Sequence, residues 1–409
     1  MNTNSVSIRN QVNELLGQTF CNPDHSTREN SEKLLLQLRT QDPLNFFTAL
    51  TQNFADPSLL TNHRVLNSTL LLKSLTENTN NNTYWYFMPA ELKEQIQNSG
   101  LSLLIDSNYT IQKSAASLIS KIYILRYQAD QKWVGLLSNL SKNSQSPKPE
   151  VKKASIYTIG YICEELALLK FDLNPSEIQE ILEAICFCIN KDQSDDSIRV
   201  AGLRAFQHSH FYFSTIMQDA SIRNFVMDLL VKCTIISQNS DEVIMLGYSC
   251  LVDISKTLYP YLGTYIGKIC EFTIQVLEAG SDQCKIPAIE LWNAIAIEEN
   301  RRKGLANGDS GRFGSTDGVN GQFILGVYRE LLPPVLLNLN CVSEEDMQEN
   351  NSLSVFSSAS KCLVSIFELI GNEACKITTD FIDAFSSGET WQKKVGSLSA
   401  FCFMLQGCD

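Results

Sequence analysis

Thirteen cysteines, four histidines and an acidic cluster of Glu344, Glu345, Asp346 and Glu349 are the residues of this 409-residue chain whose types could do chemistry. A zinc site needs ligands that converge on one point. His208 and His210 stand two apart, as do Cys186 and Cys188, and on a helix residues at that spacing point away from each other. A metal pair is therefore disfavoured. No Cys-x-x-Cys, Walker loop or Gly-x-Ser-x-Gly occurs, and the glycines between 304 and 321 lack the Gly-Lys-Ser/Thr ending of a phosphate cradle. A cysteine nucleophile needs a base and an electropositive setting. Cys163 instead precedes Glu164 and Glu165, whose charge would raise a thiol pKa. The chain is expected to have no catalytic, cofactor-binding or metal site and not to be an enzyme. The remaining chemistry is electrostatic, and the net charge of −12 favours basic partners.

Charge and composition lead the same way. With 45 acidic and 33 basic side chains the net charge is −12, a field that repels phosphate and argues against nucleic acid as a partner. Cysteines sit singly inside apolar stripes, as in Tyr161-Ile162-Cys163 and Ala184-Ile185-Cys186, where a reduced thiol acts as a small hydrophobe. That usage suits the cytosol or nucleus. The first residues have no signal-peptide core, and no stretch reaches the length of about 18 apolar residues that spans a bilayer. A soluble protein without membrane partners is the expectation.

The elements that carry these residues repeat. PEVKKASIYTIGYICEEL from Pro149, DSIRVAGLRAFQHSHF from Asp196, DEVIMLGYSCLVDISKTL from Asp241 and DQCKIPAIELWNAIAIEE from Asp282 share a polar turn, a β-branched or basic opening and an apolar helical stripe. Aligning Ile111, Val151, Ile198, Val243 and Cys284 gives spacings of 40, 47, 45 and 41 residues, the period of two-helix HEAT-type repeats. The prediction is an all-α, right-handed superhelical solenoid of antiparallel helix pairs, one array over 1–409, and such arrays are binding surfaces more often than enzymes. Helix pairs are read at 5–17 with 25–40, 46–54 with 65–76, 92–104 with 111–127, 176–190 with 197–213, 222–237 with 242–259, and 265–279 with 283–300. Ser26 with Glu29 reads as a capping box, 78–82 as a solvated turn and 142–149 as a loop. A flexible Gly-rich insertion is expected at 301–321 and an acidic loop at 341–352. The last repeats use 356–370 and 393–405. Trp85, Trp133, Trp292 and Trp391 are read as core or junction anchors. The chain stops just after an apolar helix, so a further repeat is expected beyond it.

At this point the residues resemble a known family. The run from Ser155 to Glu165, SIYTIGYICEE, is similar to a helix of the importin-β (karyopherin-β1) family. Leu71-Leu72-Lys73-Ser74 followed by Trp85 looks like the Leu-Lys-Asn and Trp signature of its amino-terminal domain. Asp195 to Ala201, Thr264 to Gly267, Ile289 to Trp292 and Glu298-Glu299 keep the family's order and spacing. The resemblance implies an amino-terminal domain at about 1–105, further repeats at 106–409, and a nuclear import receptor of cytoplasm, nucleus and nuclear pore. It implies release of cargo by Ran-GTP docking on inner helices, binding of Phe-Gly nucleoporins on outer helices, and an importin-α type adaptor or basic cargo held mainly by later repeats.

The resemblance also assigns residues. Leu182 and Cys186, with Phe225 and Val226, match positions that line the nucleoporin pocket; ordinary inter-repeat core is the competing reading. Lys73 is the residue named for Ran, against a lysine whose stem merely covers a repeat junction. Glu344, Glu345, Asp346 and Glu349 occupy the place of the family's acidic loop, which contacts Ran and basic cargo; a solvated loop is the alternative. A structural HEAT scaffold without Ran binding is the alternative for the whole chain.

Overall fold

The computed structural model describes residues 3–79, 82–192, 195–306, 322–348 and 353–407. Two compact units divide the chain, Met1–Cys188 and Ile189–Asp409. In the first, α1 (Thr3–Cys21) packs on α2 (His25–Gln41) and α3 (Pro43–Ala55) on α4 (Thr61–Thr76). A two-residue antiparallel pairing, Asn78 with Thr83 and Thr79 with Asn82, and the single turn α5 (Tyr84–Phe87) follow. Then α6 (Ala90–Leu103) packs on α7 (Tyr109–Gln128), and α8 (Leu136–Asn143) on α9 (Pro149–Leu168). Second helices lie side by side, α4 on α7 and α7 on α9, which buries the stripe that each would leave bare alone. Helix α10 (Pro175–Ile189) ends at the boundary between the units.

The second unit holds α11 (Asp196–Phe213), α12 (Ala220–Cys233), α13 (Asp241–Ser255), α14 (Ile266–Ala279), α15 (Asp282–Ala306), α16 (Phe323–Leu337), α17 (Glu344–Gln348), α18 (Val355–Ile370), α19 (Asn372–Phe385) and α20 (Trp391–Gly407). Its second helices again form a row, α11 on α13 on α15 on α18, while α14, α16 and α19 stack beside it. Gly247 allows α13 to approach α12, because a Cβ there would lie 2.9 Å from Cys233 Cβ. Trp292 is fully buried, and its indole N–H donates to Thr273 Oγ1 at 3.1 Å.

The repeat alignment proves to be a register. Ile111, Val151, Ile198, Val243 and Cys284 are each the third residue of α7, α9, α11, α13 and α15. One position later, and equally on α4, stands a long polar side chain at several repeats. Arg64 is 5% exposed; its Nε donates to Phe54 O at the end of α3, and its other arm reaches Asp106 at 2.6 Å, in the turn before α7. Gln112 in the next copy donates to Asp106 O at 2.6 Å. Arg199 is 2% exposed; its Nε donates to Ile189 O, and its other nitrogens reach Asp196 and, at 2.8 Å, Asn239 in the turn before α13. Each guanidinium thus satisfies the bare carbonyl end of the preceding helix, where a cation is favoured, and clamps the turn of the following repeat.

Glu299 makes a second clamp. Its Oε1 accepts from Tyr259 Oη at 2.9 Å, Phe323 N at 2.7 Å and Ile324 N at 3.3 Å, so a buried carboxylate on α15 caps the N-terminus of α16. Burial raises its pKa, against these three donors.

Several expectations change. Asp24, not Ser26, caps α2, accepting from the backbone N–H of Ser26 and Thr27, while Glu29 pairs with Lys33 instead of closing a capping box. The Asn-rich turn carries a small hairpin pairing, and α8 reaches Asn143, inside the expected loop. Helix α15 continues to Ala306, so 301–306 are helical; the rest of the Gly-rich insertion, 307–321, lies outside the described residues. Part of the acidic loop is the helix α17. Trp391 is 40% exposed and Trp133 is partly exposed under the Arg126 guanidinium, so only Trp85 and Trp292 are buried anchors.

Arg199→Ala leaves the buried Ile189 O and the partly buried Asn239 Oδ1 without this donor, and opens a buried site, so it should cost about 3 kcal/mol in chemical unfolding of the chain. Arg204→Ala, which removes an exposed pair with Glu242, should cost less than about 1 kcal/mol. Equal shifts for the two would contradict the clamp.

Ser240's hydroxyl, and then Arg199, hold the Asp196 carboxyl below its ordinary value of 3.8. Its stabilising contribution is therefore present above that value and is lost as pH falls through the lowered one. Unfolding midpoints across the acid range should fall less steeply in Asp196→Asn than in the parent.

Candidate partner-binding surfaces

Most of the described thiols are buried, whereas Cys21, Cys341 and Cys402 are exposed. Burial pushes the thiols of Cys186, Cys188 and Cys362 up to about 12, far from the thiolate that a nucleophile requires. Three thiols serve as weak donors to carbonyls, Cys188 to Ser144 O, Cys250 to Leu203 O and Cys284 to Asp241 O. Cys375 departs from the expected free thiols, being disulfide-bonded. His210 Nδ1 lies 2.6 Å from Gln207 O on its own helix. Among the described residues no group of three His, Cys, Asp or Glu side chains could hold a metal ion, and no helix is long and apolar enough to cross a membrane.

Lys73 lies in the last turn of α4 with its side chain 67% exposed, 3.8 Å from Glu77. Its ammonium is thus reachable, while the residue stands where the first two helix pairs meet. It borders a cleft of about 170 Å³ in the first unit, with Leu16, Phe20 and Leu36 as apolar wall and Arg39 and Glu77 as rim. Arg39 pairs with Glu77, and its guanidinium lies 5.8 Å from the Tyr84 ring centre. Arg39 and Glu77 escaped the reading of the sequence, although opposite charges 38 residues apart, close to one repeat, are a usable signal.

The acidic segment belongs to the second unit. Its carboxylates divide by role. Glu344 and Glu345 are exposed on α17. Asp346 Oδ2 accepts from Ser343 N and Ser343 Oγ, both at 2.8 Å, and Oδ1 accepts from Ser354 Oγ at 2.5 Å, so it fastens the segment to the start of α18. Glu349 lies outside the described residues. Met347, 61% exposed, and Leu353, 72% exposed, add apolar surface beside the glutamates.

Of the four residues assigned to nucleoporins, Leu182, Cys186 and Val226 are buried, at 5%, 3% and 1% exposure, and Phe225 is 58% exposed. Phe225 stands in the second turn of α12, beside Asn224, whose Oδ1 accepts from Tyr265 Oη. An exposed ring next to an ordered polar pair is a surface onto which another ring can stack.

No family model matches the chain. Importin subunit beta-1 of Schizosaccharomyces pombe is 25% identical over 402 residues, 96% of this chain and 45% of that protein. The Saccharomyces cerevisiae protein of the same name is 25% identical over 406 residues, 97% of this chain and 46% of its own. The chain thus spans less than half the length of the relatives it matches. Among solved structures, Kap95p whose binding induces the switch loops of RanGDP to adopt the GTP-bound conformation matches with a TM-score of 0.81, and the Kap95:Nup1 complex with 0.78. Each is 23% identical and covers 98% of this chain and 46% of the other, a likeness of fold. The antiparallel helix pairs are HEAT repeats of the importin-β solenoid type, and the chain is homologous to importin subunit beta-1 across 96% of its own length.

Proposed function

We propose that this chain is a nuclear import receptor that binds Ran-GTP through Lys73 on α4 and through the acidic segment, and binds Phe-Gly nucleoporins through Phe225 on α12. The observation that carries the reading is the collinear match to importin subunit beta-1 over 96% of the chain. The exposure of Phe225, Lys73, Glu344 and Glu345 supports it, since partner-binding side chains must be reachable. The Kap95p structures with RanGDP and with Nup1 concern relatives of the same fold and are compatible with these two partner classes.

The chemistry assigns different tasks to the groups. Glu344 and Glu345 supply negative potential that steers a basic surface of the GTPase or a basic cargo, an effect that weakens with salt. Lys73 offers an exposed ammonium at the edge of an apolar cleft and answers a carboxylate of the partner. Phe225 supplies apolar area for a phenylalanine ring, whose burial contributes on the order of 1.5–3 kcal/mol. Ran-GTP and cargo favour different states or overlap, so each weakens the binding of the other. An importin-α type adaptor is a further proposed partner. Burial of Leu182, Cys186 and Val226 favours a second reading for those three alone, in which they build repeat core, as in a structural HEAT scaffold.

Phe225→Ser should weaken binding of a Phe-Gly repeat peptide about tenfold, with helicity unchanged, in a fluorescence titration. Glu344→Lys with Glu345→Lys should weaken Ran-GTP binding and flatten its salt dependence. A chain that never binds the Phe-Gly peptide would favour the scaffold, and one that binds it equally after Phe225→Ser would contradict the role of Phe225.

A further inference from the structure

The seam between α7 and α9 pairs side chains 44 residues apart. Lys121 Nζ meets Glu165 at 2.9 Å, an ordinary ion pair. Eight residues earlier on both helices, the same register sets Lys113 against Tyr157, and an aromatic ring stands where the carboxylate would be. Lys113 Nζ lies 4.8 Å from the Tyr109 ring centre and 5.3 Å from that of Tyr157, and Lys153 Nζ lies 4.3 Å from the Tyr109 ring centre. The two rings are themselves in contact, with centres 5.8 Å apart and hydroxyls 2.5 Å apart. Among the described residues neither Lys113 nor Lys153 makes an ion pair. Ring faces hold both ammonium groups in place without neutralising them.

The surroundings extend this charge. Residues 142–153, KNSQSPKPEVKK, carry Lys142, Lys148, Lys152 and Lys153 against Glu150 alone, in a chain of net charge −12. Lys142 and Lys148 are exposed, whereas Lys152 is buried against the Phe187 ring. Lys142 stands at the end of α8 and Lys148 just before α9, so cations from separate elements flank the pair and do not form a cradle. At the start of α7, Asn108 Oδ1 already accepts from Thr110 N, so that backbone donor is not turned outward for a phosphate.

We propose that Lys113 and Lys153, held on the Tyr109 and Tyr157 rings, form a binding site for an acidic peptide segment of a partner protein. Successive carboxylates along an extended chain match separated ammonium groups, and the exposed Lys142 and Lys148 add to the local positive charge. The site uses none of the residues assigned to Ran or to nucleoporins, so it stands or falls independently of that reading.

Fluorescence anisotropy of labelled poly-glutamate with the whole chain tests this, with poly-glutamine as control. Saturable, salt-sensitive binding of poly-glutamate alone is expected, weakened about tenfold or more by Lys113→Gln with Lys153→Gln. Lys113→Arg with Lys153→Arg should retain binding, as should Lys232→Gln, since Lys232 is already paired with Asp228. Circular dichroism must show the parent's helicity in the double glutamine variant; if it does not, each single glutamine variant is expected to weaken binding on its own. Absence of poly-glutamate binding, or binding indifferent to Lys113 and Lys153, overturns the proposal. Displacement of the peptide by inorganic phosphate at constant ionic strength would also overturn it, in favour of a phosphate site.

Discussion

A buried guanidinium at the start of a second helix, Arg64 in one unit and Arg199 in the other, locks its repeat to the next. A helix pair of about forty residues cannot bury its own apolar faces, so it is stable only beside its neighbours. Apolar stripes supply most of that stability, but they do not fix where one repeat sits along another. Arg64 and Arg199 do, because each is satisfied only when the carbonyl end of its own first helix and the turn of the next repeat are both in place. The charge is tolerated at 5% and 2% exposure because each arm has an acceptor. With that seam closed by buried groups, side chains such as Lys73 and Phe225 remain at the surface.

Much of this was legible in the sequence. The period near 43 residues located every second helix from α7 to α15 to the same register position, and prolines and acidic caps marked the turns. Pairs one repeat apart, such as Arg39 with Glu77 and Lys121 with Glu165, follow the same period. Helix α19 was missed although Ala374, Ile377, Phe381 and Phe385 recur at helical spacing, a legible stripe. The cap of α2 was misplaced because Asp24 and Ser26 are both competent caps, and only backbone geometry selects the aspartate. Trp391 opens α20 and so lies at a helix end with little to cover it, although its type suggests an anchor.

The candidate sites were legible as regions, less so as residues. Phe225 and Val226 are neighbours in sequence and diverge by about 100° on the helix, so one faces solvent and the other is buried. Within the acidic segment, composition makes Glu344, Glu345 and Asp346 equivalent. Only the hydrogen bonds show that Asp346 is spent on Ser343 and Ser354, leaving the two glutamates for a partner. Lys153 was legible only as part of the basic opening of its repeat and Lys113 not at all; that both ammonium groups sit over rings appears only when α7 and α9 are set side by side.

The central claim, that these repeats form a nucleotide-sensing transport receptor, is tested most directly by titrating the chain with Ran-GTP and Ran-GDP under identical salt. The account predicts binding of Ran-GTP at least about tenfold tighter than Ran-GDP. Equal affinity for the two forms, or no binding of either, would contradict it.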